Sequence, residues 1–332
     1  GVQTCALPIC HASGNATAND FFASIADASH DEKGVAAFRS FIDQAGVPVV
    51  QTSLDCTGAP QVSLSQSRYV EAGAGTAPQQ TWKVPMCISA GDASGRTETC
   101  ALFDEKAGKI ALKTKSCPAW VMPNSDGAGY YRFALDKKGW DALVAAAPKL
   151  NEREVLTALD SLGAAFQAGQ MDVGDYMDRA KGLIEKRAVT WDMASALGGT
   201  LAHIKDSVAP TDVKDGVERF IRDTFAPLYA KVGLDANTAL DKENSVQATL
   251  LRTPVVNMVA VQGKLPAARD ELRKRGALYL GLKADGSPGD GKIHPEAIDP
   301  NIADQAVTVA IQDMGAKAAD RSEEHTSELQ SH

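Results

Sequence analysis

The chain has 332 residues, of which 44% are apolar and 23% charged. This is ordinary globular composition and excludes a disordered chain, a collagen and a disulfide mini-protein. Lys plus Arg number 34 against 42 for Asp plus Glu, a net charge of −8, and aromatics are only 6%. With its charge scattered, the chain is not expected to have nucleic acid as a partner. No apolar run approaches the roughly 18 residues of a membrane-spanning helix, so no membrane span is expected. At about 100–200 residues per domain, the length predicts two or three domains.

Residues 1–10 read GVQTCALPIC and residues 321–332 read RSEEHTSELQSH. Both resemble translated sequencing-adaptor DNA, a contaminant of assembled metagenomic reads, and are expected to be foreign to the protein. The native segment is then 11–320, with a net charge of −6 once the tail's one Arg and three Glu are removed. It opens in a helical pattern without a readable signal peptide and stops soon after a helix. A fragment with a truncated last domain is expected.

Residues 14–43 carry helical spacing. Asn19 or Asp20 is placed to cap a helix with apolar Phe21, Phe22, Ile25 and Ala26. A second helix carries Val35, Phe38, Phe41 and Ile42, and Gly46 with Pro48 stops it. From Val47 the period becomes two. Strands are predicted from Val47 to Ser53, Val62 to Gln66, Trp82 to Met86, Thr99 to Phe103, Lys109 to Lys113, Ala119 to Met122 and Tyr130 to Leu135. Asp104–Gly108 is expected to close a hairpin between two of them. These short strands predict a small antiparallel β-sandwich over 46–136. Pro85 cannot donate a ladder hydrogen bond and marks its strand as an edge.

From Lys137 onward the period is 3.6. Helices are predicted near 137–147, 151–169, 172–186, 190–207, 212–232, 245–261, 264–281 and 299–315. Asn151 with Glu154 three residues on reads as a capping box, and Gly169, Gly233 and Gly263 mark helix ends. Short connections predict a helix-pair solenoid over 137–320. Ala284–Lys292 (ADGSPGDGK) reads as a flexible loop. The fold class is therefore multidomain α+β: terminal helices of one domain over 11–45, a β-sandwich, then a solenoid.

Cys5 and Cys10 fall in the foreign head. The other four, Cys56, Cys87, Cys100 and Cys117, all lie in the β zone. An even number confined to one small domain points to two disulfides and an oxidising compartment, periplasmic or extracellular. Cys87 and Cys100 flank a Gly-containing loop between consecutive strands and form the favoured pair, with Cys56 and Cys117 following by elimination. Four buried thiols in a cytoplasmic protein is the alternative. No C-x₂-C spacing favours zinc.

No catalytic constellation is readable. There is no HExxH, no G-x-S-x-G and no P-loop. His203 reads as a partly exposed helix residue and His30 as a loop residue. Gly127-Ala128-Gly129 reads as a turn into a strand rather than a phosphate cradle, because no helix follows. Asn15-Ala16-Thr17 fits a glycosylation sequon of little weight in a bacterial chain. Trp140, Trp191 and Phe220 read as core, and Arg252 as a salt-bridged strut.

Gly14-Asn15-Ala16-Thr17 with Asp20, Phe21 and Phe22 resembles the GNAT-x-x-D stretch late in the catalytic domain of the gluzincin zinc aminopeptidases, the family of the puromycin-sensitive and endoplasmic-reticulum aminopeptidases. Phe38 to Phe41 with Gly46 to Val50 resembles the exit from that domain. Trp82-Lys83-Val84-Pro85 is similar to a family strand. Trp120-Val121-Met122-Pro123-Asn124 with Gly129-Tyr130-Tyr131-Arg132-Phe133 resembles the family's W-x-x-x-N…G-Y-Y-R-V passage, and Leu250-Leu251-Arg252 a solenoid helix. The resemblance covers nearly all of 11–320. It implies the C-terminal half of an enzyme that removes N-terminal residues from peptides. In such enzymes two His and a Glu hold Zn²⁺, a Glu of HExxH acts as general base, a Gly-Ala-Met-Glu-Asn segment binds the free amino group, and a Tyr stabilises the oxyanion. None of these elements is in this sequence, so no catalytic or metal residue is carried over. The implied zinc and catalytic domain would precede residue 11, and the chain alone is expected to be inactive. Its role would be to roof the active-site chamber and help enclose peptide. The alternative is a non-catalytic module that docks peptide or protein partners on its solenoid.

Overall fold

The computed structural model describes residues 14–76 and 78–330. Residues 1–10, expected to be foreign, lie outside that range. The chain divides into two compact units, Gly1–Leu183 and Ile184–His332. The boundary expected at 136/137 instead falls inside the first unit, because three helices follow the strands before the division.

The first unit opens with α1 (Ala18–Ser29) and α2 (Glu32–Ile42). Thr17, rather than Asn19 or Asp20, caps α1: its hydroxyl accepts from the Asp20 N–H, while the Asp20 carboxylate accepts from the Thr17 N–H at 2.8 Å. This reciprocal arrangement satisfies two otherwise orphaned donors. His30, in the left-handed region at φ 52°, ends α1, and Asp31 caps α2. Phe22 is buried between the two helices, with the Arg39 guanidinium 4.4 Å above its ring.

Seven strands follow: β1 (Pro48–Asp55), β2 (Gln61–Arg68), β3 (Val84–Gly91), β4 (Arg96–Phe103), β5 (Ala107–Ala111), β6 (Trp120–Met122) and β7 (Arg132–Leu135). They form two small sheets, in the orders β5-β2-β1-β7 and β4-β3-β6. Three sequence expectations are corrected here. First, the strands are not all antiparallel: β7 pairs parallel to β1, with Val50 opposite Phe133. The chain visits the other sheet between these two strands and returns in the direction in which it left. Second, Asp104–Gly108 is not a hairpin, since β4 and β5 belong to different sheets. The Gln66 side chain guides the crossing. Its amide donates to the Trp82 and Glu105 carbonyls at 2.9 Å each and accepts from the Trp82 N–H at 2.8 Å. Third, the strand that holds Pro85 is central. Its partner β6, however, pairs only with Ser89–Gly91, so the missing N–H falls where β3 has no neighbour on that side.

Among the described residues of this unit two disulfides form: Cys56–Cys117, with Cα atoms 5.7 Å apart, and Cys87–Cys100, with Cα atoms 4.0 Å apart. The first closes a separation of 61 residues and the second one of 13. On the chain-entropy model they stabilise by about 4 and about 3 kcal/mol respectively. Replacing Cys56 and Cys117 together by Ser is therefore expected to lower the urea midpoint more than replacing Cys87 and Cys100. The reverse order in equilibrium denaturation would contradict this ranking.

Helices α3 (Lys137–Ala145), α4 (Glu152–Gln167) and α5 (Val173–Ile184) complete the first unit. Asp136 caps α3, and the expected capping box of Asn151 and Glu154 opens α4. Trp140 is buried as expected and stacks on Phe133 with centroids 5.3 Å apart. Buried Arg179 on α5 reaches Asp141 on α3 at 3.0 Å.

The second unit is helical: α6 (Trp191–His203), α7 (Lys214–Val232), α8 (Ala239–Glu243), α9 (Ser245–Val256), α10 (Pro266–Tyr279), α11 (Ala303–Met314) and α12 (Ala316–Gln330). The helices predicted from periodicity are all present. Short α8 and terminal α12 were not expected, and α12 runs through most of the segment read as foreign. Turns with i→i+5 hydrogen bonds extend α6 over 204–208 and α9 over 257–262. Trp191, read as core, is instead exposed at the start of α6, while Phe220 is half-buried. Helices α10 and α11 meet at Gly276, where a Cβ would stand 2.2 Å from the Ala306 carbonyl oxygen, so only glycine permits this approach. The Ala284–Lys292 loop is folded back on itself, with Lys283 N–H donating to Ser287 O at 2.9 Å.

Candidate functional site

Asn124, Gly129, Tyr131 and Arg132 hold the backbone between β6 and β7. The Asn124 amide clasps Gly129 from both sides, donating to its carbonyl at 2.8 Å and accepting from its N–H at 2.9 Å. Buried Tyr131 donates its hydroxyl to the Pro123 carbonyl at 2.6 Å. Arg132 lies 4.3 Å above the Tyr69 ring and reaches Asp160 at 3.1 Å. Gly127 sits at φ 61°, and the Gly-Ala-Gly run leads into a strand, as read from the sequence. The Asn124 and Tyr131 side chains are therefore occupied in fixing this turn.

Beside this turn lies a polar cluster that sequence reading missed. Glu154, whose side chain is 0% exposed, accepts from Arg96 Nη1 at 2.9 Å and also from Nη2. It accepts the Asp126 and Asn151 N–H groups at 3.0 Å each as well. The same guanidinium donates to Ser89 Oγ at 2.7 Å, and Ser125 Oγ donates to Glu98 Oε2. Burial raises the Glu154 pKa, but the Arg96 guanidinium and the two N–H groups together hold it below the ordinary carboxylate value. Only the capping-box part, Asn151 and Glu154, had a sequence signal. Arg96 is 58 residues away in sequence.

No histidine joins a ligand cluster among the described residues. Their one group of at least three convergent candidate ligands is Cys87, Glu98 and Cys100. His203 is exposed at the end of α6 and His30 ends α1. Exposed His294 is bracketed by Asp290 at 3.0 Å and Glu296 at 2.9 Å, and the two carboxylates raise its pKa, Asp290 more than Glu296. This is a solvated ion cluster rather than a reactive centre. The described residues therefore do not fit a catalytic zinc.

Among the described residues, the helical hairpin and the neighbouring turn before β7 expose several large apolar side chains. Phe38 is 51% exposed, Ile42 59% and Tyr130 72%, and Phe21 is exposed beside them. Of the other two phenylalanines of the hairpin, Phe22 is buried, and Phe41 is half-buried against Tyr130. Such a patch favours association. The purified chain is expected to self-associate in size-exclusion chromatography with light scattering. Phe38→Asp combined with Ile42→Asp is expected to shift it toward the monomer. A monodisperse monomer of the unaltered chain would argue against an apolar contact face.

Comparison with known proteins assigns this framework. Residues 120–329 match the family model described as the ERAP1-like C-terminal domain. The chain belongs to that family. The match starts at Trp120, the first residue of β6, and includes both the clasped turn and nearly all of the helical unit. The chain is also similar to the tricorn protease-interacting factor F2 of Thermoplasma volcanium, at 24% identity over 56% of this chain and 22% of the relative. With the thyrotropin-releasing hormone-degrading ectoenzyme of Rattus norvegicus it shares 22% identity over 68% of this chain and 23% of the relative. With aminopeptidase N of Plutella xylostella the figures are 24% identity, 59% and 21%. The chain thus spans about a fifth to a quarter of the length of the curated relatives it matches. The resemblance to the C-terminal half of the gluzincin aminopeptidases, read from the residues, agrees with this membership.

Proposed function

We propose that this ERAP1-like chain is the C-terminal part of a zinc aminopeptidase that removes N-terminal residues from peptides. The observation that carries the reading is the family match over 120–329, joined by relatives that include an aminopeptidase N. In this account the zinc ion and the general base belong to a catalytic segment preceding these residues. The helical unit roofs the active-site chamber and limits which peptides enter. The exposed Phe21, Phe38 and Ile42 face supports the reading, as a surface suited to packing against such a segment. Two disulfides in the first unit support a periplasmic or extracellular location. Peptide is the proposed substrate class.

The test uses aminoacyl-coumarin substrates. The chain alone, supplied with Zn²⁺, is expected to release no fluorophore. Joined in cis to the sequence that precedes it in its gene, it is expected to hydrolyse them and to lose that activity to a chelator. Turnover by the chain alone would refute the division of labour, and an inactive joined protein would refute the aminopeptidase reading.

A further inference from the structure

We propose that His294 is a proton-operated clasp: as imidazolium it ties Asp290 to Glu296 and holds the 281–297 segment closed, and on losing its proton it lets the Glu296 side loosen.

Donors and acceptors fix the protonation state. His294 Nδ1 is 2.9 Å from Glu296 Oε1, and Nε2 is 3.0 and 3.2 Å from the two Asp290 oxygens. Ionised carboxylates only accept hydrogen bonds, and a neutral imidazole has a single N–H to donate. Both contacts are satisfied together only when both ring nitrogens carry protons. The carboxylates are ionised: the Lys292 N–H and then the ring hold Asp290 below its ordinary value, and the Glu296 N–H and then the ring do the same for Glu296.

The clasp spans two pieces of backbone. Asp290 lies in the loop that leaves α10, and Glu296 in the 3₁₀ turn Pro295–Ala297. The ring itself stands on anchored chain, since the His294 N–H donates to the Tyr279 carbonyl, at the end of α10, at 3.0 Å. The Asp290 side is anchored as well: the Gly291 N–H donates to the Gly281 carbonyl at 3.1 Å, and Arg321 of α12 donates to the Gly291 carbonyl. Beside the ring lies an open cleft of about 320 Å³ floored by Leu278, Leu282 and Ala297. The clasp therefore closes one wall of an apolar cleft.

Other charged and titratable groups surround this segment. Tyr279 and Arg273 come from α10, Arg321 from α12, and Lys283, Asp285 and Lys292 from the loop. Arg273 is engaged with the Ala284 carbonyl at 3.0 Å. The ring's own ion pairs are with Asp290 and Glu296. These two, Asp290 more than Glu296, raise its pKa above the ordinary 6.5. A raised folded pKa means that the clasp contributes fully below the unfolded value. The contribution is lost as pH rises through the folded one. Nε2 faces both oxygens of Asp290, so the neutral ring keeps its N–H there and turns a lone pair toward Glu296. The 3₁₀ turn is then the side that is released.

The test uses the full chain and two readouts. Long-range proton–nitrogen spectra, with His294→Asn to assign the ring, follow both ring nitrogens against pH. The midpoint is expected above 6.5, to fall in Asp290→Asn, and to fall less in Glu296→Gln. Amide hydrogen exchange of 281–297 is then compared between the unaltered chain and His294→Asn at equal pH, so that intrinsic rates cancel. At about pH 6 the variant is expected to exchange about twofold to fivefold faster, the size of an exposed ion pair, and at about pH 9 the two should agree. All these positions are exposed, so the variants should keep the fold. A midpoint at or below 6.5 would overturn the proposal, as would a midpoint that Asp290→Asn leaves in place. So would equal exchange at the lower pH, or a difference that persists unchanged at the higher one.

Discussion

Asp241→Ala is expected to unfold the helical unit under conditions where the unaltered chain stays folded. Arg252 is 1% exposed in the middle of α9. Its Nη2 donates to both Asp241 oxygens at 2.7 Å, and its Nε donates to the Val232 carbonyl at 3.0 Å. Asp241 also closes the capping box of α8 by accepting the Thr238 N–H at 2.9 Å. One pair of side chains thus ties together the end of α7, the start of α8 and the centre of α9. Removing the carboxylate leaves a guanidinium buried without its counter-charge, which costs about 3–5 kcal/mol. That is a large part of the roughly 5–15 kcal/mol typical of a whole domain. Arg252 Nη1 already lacks a hydrogen-bond partner among the described residues, so no second acceptor stands ready. Arg252→Met added to Asp241→Ala should recover more than half of the loss, because the stranded charge is then gone. Equal stability of Asp241→Ala and the unaltered chain in thermal melts would contradict the strut.

The same pair sets an acid limit. The Arg252 guanidinium, followed by the Thr238 hydroxyl, holds the Asp241 carboxyl at about 2, below its ordinary value of 3.8. A carboxyl whose pKa is lower in the folded state stabilises the fold above its unfolded pKa. That contribution is lost as pH falls through the folded value. Helical circular dichroism is therefore expected to hold above about pH 4 and to fall progressively toward pH 2, with a smaller fall in Asp241→Ala combined with Arg252→Met, where the other lowered carboxyls such as Asp235 remain.

Glu154→Ala is the second large effect, this time in the first unit. It strands the Arg96 guanidinium and two backbone N–H groups, those of Asp126 and Asn151. Because Arg96 is itself 34% exposed, water partly compensates it, and the expected cost is at the low end for a broken buried pair, about 3 kcal/mol. Glu154→Gln keeps an acceptor for the capping box and should cost about half as much. Urea denaturation followed by tryptophan fluorescence checks both, since Trp82, Trp120 and Trp140 are all buried in this unit. A loss under 1 kcal/mol for Glu154→Ala would show that the cluster does not hold α4 to the strands.

Both sites show what the sequence could reveal. Asn151 and Glu154 were legible as a capping box because that signal is local, three residues apart. Arg252 was legible as a strut because a lone Arg in an apolar helical stretch needs a counter-charge. Its partner Asp241 was not, since α8 is too short to show a period. Arg96 was illegible because its role depends on a contact with a helix that begins more than 50 residues later. The strands were found from alternation, but sheet membership was not. Alternation shows which side of a strand is buried and is silent on which strand lies beside it, so β4 and β5 read as a hairpin and β7 as antiparallel. The long helices survived because a 3.6-residue period over many turns has no competing reading. Trp191 failed because an apolar residue in the first turn of a helix satisfies the period whether or not another element covers it. The absence of HExxH was legible at once, because that motif is a local one.

The measurement that tests the central claim most directly is the DNA sequence of the source locus ahead of the codon for His11. The aminopeptidase account predicts an in-frame HExxH followed by a Glu on the next helix, continuous with Gly14-Asn15-Ala16-Thr17. A start codon or an in-frame stop reached without that motif would contradict it.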